Sequence, residues 1–146
     1  LGLVGSEMCI RDRNAIKFNQ ETLAKNTGSI LLYSTIAVKQ GFTNHTIVST
    51  AKGAIEGLTL SLAAEFAPKI KVNCIAPSLT DAKMTQKLLN NETIKKAIEN
   101  MHPLPKIGSG DDFSDIGSFL LSDKNSWITG QIFHIDGGRS SLRIKS

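Results

Sequence analysis

Residues 29–77 decide the fold, and they read SILLYSTIAVKQGFTNHTIVSTAKGAIEGLTLSLAAEFAPKIKVNCIAP. The stretch begins with a short apolar run, residues 29–34, which predicts a buried strand. It ends with a second apolar run, residues 71–76, which predicts another strand that stops at Pro77. Residues 35–46, between the first strand and the helix described next, are predicted to form a loop.

A helix is predicted over residues 49–67, because apolar residues recur there at three- and four-residue steps and Pro68 follows. The apolar positions are Ala51, Ile55, Leu58, Leu62 and Phe66. Strand, helix and strand together form a βαβ unit. Its two strands should therefore be parallel and joined by a right-handed crossover.

Further along the chain, short helices are predicted at about residues 82–89 and 92–101, with Asn91 as the cap between them. Ser109 and Asp112 resemble a capping box that opens a helix ending near Leu121. Residues 131–135 predict a third strand. The alternation indicates an α/β fold whose apolar strands are covered on both faces.

The composition indicates one ordinary globular domain and excludes several classes of protein. The 146 residues are 40% hydrophobic and 21% charged, with a net charge of +4. No apolar run reaches the roughly 18 residues of a membrane span. Basic residues gather only at Arg139, Arg143 and Lys145, which we interpret as a solvated tail. Without a dense basic stripe, we expect no nucleic-acid partner and no membrane partner.

Two cysteines, Cys9 and Cys74, are too few for a disulfide framework. Cys74 lies in the second apolar run, so we interpret it as a small buried hydrophobic residue in a reducing compartment, and we expect a cytoplasmic location. Ligand-type residues do not cluster with metal spacing, so no metal site is expected.

The first thirteen residues, LGLVGSEMCIRDR, do not resemble the start of a domain. We interpret residues 1–13 as a non-native leader and residues 14–146 as the domain, with a helical pattern beginning at Asn14. The alternative is a genuine, variable terminus. Three strands and few helices are too few to make a complete sheet covered on both faces. We therefore expect this chain to be the C-terminal portion of a larger domain, and to aggregate when it is isolated.

Polar side chains follow the two strands at their carboxyl ends, where ligands bind in open α/β sheets. Topology brings five of them to one crevice: Ser34, Thr35, Lys52, Ser78 and Thr80. Hydroxyls beside an ammonium suit an anionic or polyhydroxyl ligand. The alternative is a solvated helix end.

The predicted helix also carries a stripe of small residues: Thr50, Gly53, Ala54, Gly57, Ser61 and Ala64. Each glycine inside a helix costs about 1 kcal/mol relative to alanine, so a packing reason is expected. A dimer interface and packing within the chain are the two interpretations.

Four motifs occur in order along the chain: GSILLYST, STAKGAIEGLTLSLAAEFAPKIKVNCIAPS, PLPKIG and WITGQIFHIDGG. Through these motifs the chain resembles the C-terminal half of a short-chain dehydrogenase/reductase. The resemblance implies a Rossmann-type doubly wound parallel sheet. It also implies hydride transfer between NAD or NADP and a small-molecule carbonyl or alcohol, in a homodimer or homotetramer. The glycine-rich phosphate loop and the residue that chooses between NAD and NADP are not among these residues.

The resemblance also assigns roles to individual residues. Lys52 matches the lysine that holds the nicotinamide ribose, and Thr35 matches the serine that positions the substrate. Pro77, Ser78 and Thr80 match the loop whose backbone meets the carboxamide group of the nicotinamide. Members of the family usually have a threonine further along that loop, and this sequence has Ala82 at that position. The catalytic tyrosine position is Val48, which cannot transfer a proton.

A surrogate acid is therefore needed if the protein is catalytic. His45 is the best candidate, because histidine changes charge nearest to neutral pH. Tyr33 shares strand parity with Thr35 and is the second candidate, whereas His102 and His134 have no placement argument. Two hypotheses follow: an NAD(P)-dependent oxidoreductase with an atypical acid, or a non-catalytic dinucleotide-binding or oligomer-partner subunit.

Overall fold

The computed structural model describes residues 4–144. Five helices and three strands follow one another along this part of the chain. They are α1 (Val4–Lys25), β1 (Ser29–Tyr33), α2 (Thr46–Phe66), β2 (Lys71–Pro77), α3 (Gln86–Leu89), α4 (Glu92–Glu99), α5 (Asp111–Leu121) and β3 (Ile132–Ile135). None of these helices is long and apolar enough to cross a membrane within the described residues.

The three strands form one parallel sheet in the order β1-β2-β3. Ser29 pairs with Lys71 at one end of β1, and Tyr33 pairs with Ile75 at the other. Cys74 of β2 pairs with Ile132 of β3. The α/β class and the parallel βαβ unit are thus confirmed, and the sheet is of Rossmann type.

Helices α1 and α2 cover one face of the sheet. The core there contains Ile16 of α1, Leu62, Ala63 and Phe66 of α2, and Ile70 and Val72 at the start of β2. Ile30 and Leu32 of β1 pack against this cluster. The apolar positions of α2 lie on one stripe because they recur at helical spacing.

Helix α5 covers the opposite face and approaches the sheet closely at Gly117. A Cβ at that position would lie 3.4 Å from Leu31 Cδ2 and 3.9 Å from the Tyr33 hydroxyl. These are ordinary van der Waals distances, so α5 packs directly against β1 at Gly117. Both faces of the sheet are therefore covered, as the apolar strands predicted.

Two buried asparagines position β3 beside β2. The Asn73 amide donates to the Ile128 carbonyl and accepts from the Gln131 amide, both at 3.0 Å. The Asn125 side chain bonds Leu120 and Ile128. Their polar atoms are satisfied, which a buried amide requires, and the segment entering β3 is fixed to the sheet.

Element boundaries differ from the sequence prediction in three places. Helix α1 begins at Val4 rather than Asn14, and residues 1–3 lie outside the described part. Helix α2 begins at Thr46 rather than Ser49. Helix α3 is only four residues long, because the Thr85 hydroxyl bonds the Thr80 carbonyl and the Ala82 amide and holds residues 80–85 as a turn. The division into a non-native leader and a native domain stays a prediction.

The predicted caps are largely confirmed. Asn91 accepts hydrogen bonds from the amides of Thr93 and Ile94 and caps α4. Before α5, the Asp112 carboxylate accepts from the amide and hydroxyl of Ser109, which is the backward-reaching half of a capping box. Gly110, not Ser109, occupies the N-cap position.

The small-residue face of α2 points mostly to solvent. Thr50, Ala54, Gly57, Ser61 and Ala64 are all exposed. A Cβ added at Gly57 would meet nothing within 4 Å, whereas one at Gly53 would lie 3.7 Å from Val38. Packing within the chain therefore explains Gly53 alone, and not the stripe.

Two leucines on α2 test the core assignment. We expect Leu62→Ala to lower the free energy of unfolding by about 2–5 kcal/mol, because it empties a buried site. Leu60→Ala is the matched control, with a side chain 52% exposed against 5% for Leu62, and should cost about 0.5 kcal/mol or less. Urea unfolding followed by circular dichroism measures both, and equal losses would contradict the placement of the core.

Candidate functional site

The carboxyl ends of β1 and β2 open onto a cleft of about 870 Å³. Its size is within the range of small-molecule sites. The polar side chains on its wall are those of Ser34, Thr35, Thr43, His45, Ser78, Thr80, Thr85 and Arg139, and Pro77 also lines it. Four of the five residues predicted to converge on one crevice do so.

Lys52 is the exception, because it does not line the cleft. Its Nζ donates to the Tyr33 carbonyl oxygen at 2.8 Å, which holds the first turns of α2 against the end of β1. No carboxylate among the described residues forms an ion pair with it. Two of the three ammonium donors are therefore left for a ligand.

Ser34 makes the second connection between β1 and α2. The side chain is buried, and its hydroxyl lies 2.6 Å from Glu56 Oε1 and 3.3 Å from the Lys52 carbonyl oxygen. The sequence prediction missed Glu56. The available signal was its spacing, since it lies one helical turn beyond Lys52.

Thr35 and His45 both line the cleft. The Thr35 Oγ1 accepts from the Ala37 amide at 3.3 Å, and it has no other hydrogen-bond partner among the described residues. His45 precedes α2, is exposed, and has Nδ1 2.8 Å from the Thr43 carbonyl. Because a carbonyl only accepts, Nδ1 carries the hydrogen and Nε2 is free to face a ligand.

Val48 and Tyr33 do not supply a proton donor to this wall. Val48 is an alkyl side chain in the first turn of α2, 40% exposed. The Tyr33 ring lies on the face that α5 covers, with its hydroxyl near Gly117, and Tyr33 is not among the lining residues. Tyr33 was the second candidate for the surrogate acid, and this placement removes it.

His102 forms a polar pair that sequence reasoning missed. It is buried, with Nε2 2.7 Å from Ser78 Oγ and Nδ1 2.8 Å from the Ile98 carbonyl. The carbonyl requires a hydrogen on Nδ1, so in the neutral ring Nε2 accepts the Ser78 hydroxyl hydrogen. A separation of 24 residues left no signal for this pair in the sequence.

Arg139 belongs to the cleft and not to a solvated tail, which corrects the interpretation of the C-terminal charges. Its guanidinium lies 4.8 Å from the centre of the Phe42 ring and 3.5 Å from Ser78 Oγ. Burial lowers the pKa of the guanidinium, and the charge of Asp136 opposes that shift. Arg143 is exposed, and Lys145 lies outside the described residues.

Asp136 shapes the turn that carries Arg139. Its carboxylate accepts from the amides of Gly138 and Ser140, both at 2.9 Å. Burial alone would raise the pKa of this carboxyl, but these hydrogen bonds outweigh burial and hold the pKa below its usual range. Gly137 and Gly138 have positive φ values of 60° and 86°, which glycine adopts without strain.

Thr80 and Pro77 hold the loop that follows β2. The Thr80 hydroxyl donates to the Ser78 carbonyl at 3.1 Å, and the Pro77 carbonyl accepts from the Ile36 amide at 3.1 Å. No hydrogen bond from the Thr80 amide is present among the described residues. Thr80 therefore offers a free backbone donor beside the cleft, whereas Ala82 offers only a methyl group.

Comparison with known proteins decides the family. The sequence profile described as enoyl-(acyl carrier protein) reductase matches residues 14–140. The chain belongs to the short-chain dehydrogenase/reductase family. It is 35% identical over 115 residues to dehydrogenase/reductase SDR family member 4 of Sus scrofa, covering 78% of this chain and 41% of that protein.

One further relative and one solved structure support the assignment of this chain to the short-chain dehydrogenase/reductase family. The 3-oxoacyl-[acyl-carrier-protein] reductase FabG of Chlamydia trachomatis is 36% identical over 113 residues, which are 77% of this chain and 45% of that protein. The solved structure of ElxO with NADP bound superposes with a TM-score of 0.79 at 32% identity, covering 87% of this chain and 52% of that one. The chain thus spans less than half the length of these two curated relatives.

Cys74 lies beneath the site and is not part of it. Burial raises the pKa of its thiol to about 11, and the nearby charge of Glu56 acts in the same direction. Hydrogen bonding to Thr59 opposes the shift only in part. The prediction of a buried, unreactive cysteine is confirmed as to burial, since its exposed fraction is 0%.

The reactivity of Cys74 is testable. A thiol with a pKa of about 11 is almost wholly protonated at pH 8, and only the thiolate is nucleophilic. We expect iodoacetamide at pH 8 to leave Cys74 unmodified in the folded chain and to alkylate it in urea. Mass spectrometry of the peptide that contains Cys74 measures this, and rapid alkylation of the folded chain would contradict the burial.

Proposed function

We propose that the protein containing this chain is an NAD(P)-dependent oxidoreductase that transfers hydride between a nicotinamide cofactor and a carbonyl or alcohol. The observation that carries the proposal is the convergence of Thr35, His45 and Thr80 on one cleft, with Lys52 fixed to the carbonyl oxygen of Tyr33. Since the chain spans less than half the length of its curated relatives, the activity is proposed for the complete protein.

The residues present fit a nicotinamide dinucleotide. Lys52 keeps two ammonium donors for ribose hydroxyls, and the free Thr80 amide suits a carboxamide oxygen. Ser78 contributes only its oxygen, because its hydrogen is given to His102. NAD and NADP are both proposed, and the related protein ElxO binds NADP in its solved structure.

When bound, the nicotinamide supplies or accepts the hydride. The Thr35 hydroxyl is placed to donate to the substrate oxygen, because Thr35 uses only an acceptor position within the chain. His45, protonated on Nε2, gives a proton to that oxygen during reduction and takes it back during oxidation. The carbonyl of Thr43 fixes the ring by holding Nδ1. General acid catalysis of this kind contributes about 10²–10⁴-fold.

A specific observation favours a second candidate function. The family resemblance places Val48 at the position of the catalytic tyrosine, and a valine side chain has no proton to transfer. The alternative is therefore a non-catalytic subunit that binds the dinucleotide or an oligomer partner. It differs from the first proposal in predicting cofactor binding without turnover.

Substitutions at His45 and Val48 distinguish the two functions in the complete protein. If His45 is the acid, we expect His45→Ala to reduce kcat by about 10²-fold or more, with little change in cofactor affinity. Oxidation of NAD(P)H with a panel of carbonyl compounds measures kcat, and fluorescence titration of NAD(P)H measures affinity. Val48→Tyr restores the family's acid, and Val48→Phe adds the same ring without the hydroxyl.

The results with these variants decide between the two proposed functions. Full turnover by His45→Ala would overturn the role of His45. Activity gained by Val48→Tyr but not by Val48→Phe, from an inactive parent that binds NAD(P)H, would establish the non-catalytic function. A complete protein that binds neither NADH nor NADPH would overturn the oxidoreductase and the dinucleotide-binding subunit, and would leave only the oligomer-partner subunit.

We also propose that the complete protein is a homodimer or homotetramer, associating through the exposed small-residue face of α2. Small residues allow a close approach of two helices, and packing within the chain leaves this face uncovered except at Gly53. The small-molecule substrate is thus the expected partner besides a second copy of the chain. The cytoplasmic location expected from cysteine usage stays a prediction.

Gly57 tests this interface. A side chain at Gly57 meets no atom within 4 Å of its Cβ, so Gly57→Gln should leave the fold of one subunit intact and block close helix contact. We expect size-exclusion chromatography with light scattering to show a smaller species. Ser118→Gln, at an exposed position of α5, is the control and should change nothing. An oligomer unaffected by Gly57→Gln would contradict the proposed face.

A further inference from the structure

The charge on the cleft wall is carried by one residue. None of the residues that line the cleft is an aspartate or glutamate, and Arg139 is the one permanently charged member. Arginine keeps its proton at any physiological pH. Arg139 therefore supplies the one permanent charge on the described cleft lining, and the nearby carboxylate of Asp136, which is not part of that lining, acts on it electrostatically.

The partners of the Arg139 guanidinium are all neutral. Nη1 lies 3.5 Å from Ser78 Oγ, Nη2 lies 3.4 Å from Met101 Sδ, and the Phe42 ring stacks beneath. A thioether sulfur is a weak acceptor, and a 3.5 Å contact is at the limit of a hydrogen bond. The one ion pair among the described residues, Lys106 with Asp112, does not involve Arg139. A guanidinium has five donors, so most of the hydrogen-bonding capacity of Arg139 is unused.

Ser78, the hydroxyl beside the guanidinium, acts as an acceptor toward it. Ser78 gives its hydrogen to His102 and so presents an oxygen to the cleft. The turn fixed by Asp136 determines where Arg139 leaves the backbone. Apolar side chains from residues 84–98, namely Met84, Leu88 and Ile98, also line the cleft. The cleft thus combines a fixed cationic end with an apolar wall.

We propose that Arg139 binds a carboxylate of the substrate, so that the substrate is an oxo acid or hydroxy acid with an apolar chain. The inference rests on the proposed function, since the reacting carbonyl or alcohol is the one held by Thr35 and His45. The planar guanidinium matches the two oxygens of a carboxylate. One cation balances one negative charge, which favours a carboxylate over a doubly charged phosphate.

A titration of the complete protein that contains this chain, without any dinucleotide, tests the proposal. The probes are hexanoate and hexanamide, which share an apolar chain and differ in charge. We expect hexanoate to bind about tenfold or more tightly than hexanamide, because a hydrogen bond to a charged group is worth more than a neutral one. Chemical shifts of the amides of Met101, Gly138 and Ser140 report binding at the cleft.

Substitution of Arg139 should remove this preference. Arg139→Met keeps an unbranched apolar stem against Phe42 and removes the charge, so hexanoate should bind no better than hexanamide. Arg143→Met is the matched control, since Arg143 is an exposed arginine four residues away, and should retain the full preference. Arg139→Lys keeps the charge without the planar fork and should give an intermediate affinity. If circular dichroism shows that Arg139→Met does not fold, Arg139→Lys tests the proposal in its place.

The outcomes separate this proposal from the proposed function. Equal binding of the two probes to the unaltered protein, or a preference that survives Arg139→Met and Arg139→Lys unchanged, would overturn the carboxylate site. Tighter binding of hexyl phosphate than of hexanoate would also overturn it. Failure of the proposed function appears elsewhere, as absent NAD(P)H binding by the complete protein. A preference that depends on Arg139 would stand in that case.

Discussion

The parallel pairing of β1 with β2 is the constraint on which the cleft depends. Parallel strands end at the same edge, so Thr35 after β1 and Ser78 after β2 are brought together although 43 positions separate them along the chain. The connection must return through a helix. That helix, α2, is fixed to the end of β1 by the Lys52 contact with Tyr33 and the Ser34 contact with Glu56. A shift of one residue in the pairing would move every one of these groups to the wrong face.

The cleft divides into two parts with different chemistry. On the β1 side, hydroxyl and imidazole groups suit proton transfer and the orientation of a substrate oxygen. The other part consists of Ser78 and Arg139, which form a connected polar group with His102, a residue outside the cleft lining, and the turn at Asp136 supports this group. The directions of these hydrogen bonds follow from which groups can donate a hydrogen and which can only accept one. The carbonyl of Ile98 fixes the hydrogen of His102, and His102 in turn fixes the hydrogen of Ser78.

The sequence predicted local structure and topology better than it predicted side-chain contacts. The apolar periodicity of α2, the runs of β1 and β2, and the cap at Asn91 are local signals, and each was confirmed within a few residues. The convergence of Thr35, Ser78 and Thr80 followed from topology alone. Lys52 was expected in the crevice, and the structure instead engages it with Tyr33, because one side chain's direction depends on neighbours that a topology argument does not contain.

What the sequence did not predict came from long-range contacts. Arg139 was interpreted as part of a charged tail, because its neighbours along the chain are polar and basic. Its true surroundings, Phe42 and Ser78, come from distant segments. His102 pairs with Ser78 for the same reason, and no periodic pattern links positions 24 apart. The starts of α1 and α3 were misjudged for local reasons, since an unusual composition was interpreted as lying outside the helix and the turn held by Thr85 was not recognised.

The contact between Ser78 and Arg139 also has a consequence for the order in which the protein assembles. It joins residues 61 positions apart, and closing a longer loop costs more chain entropy before any contact repays it. Contacts of such separation slow folding when they belong to its rate-limiting step. A ribosome releases β1, α2 and β2 well before the turn at Asp136 exists. The nascent chain can therefore pair β1 with β2 while its cleft still lacks the positive charge, and it acquires that charge only when the last turn docks.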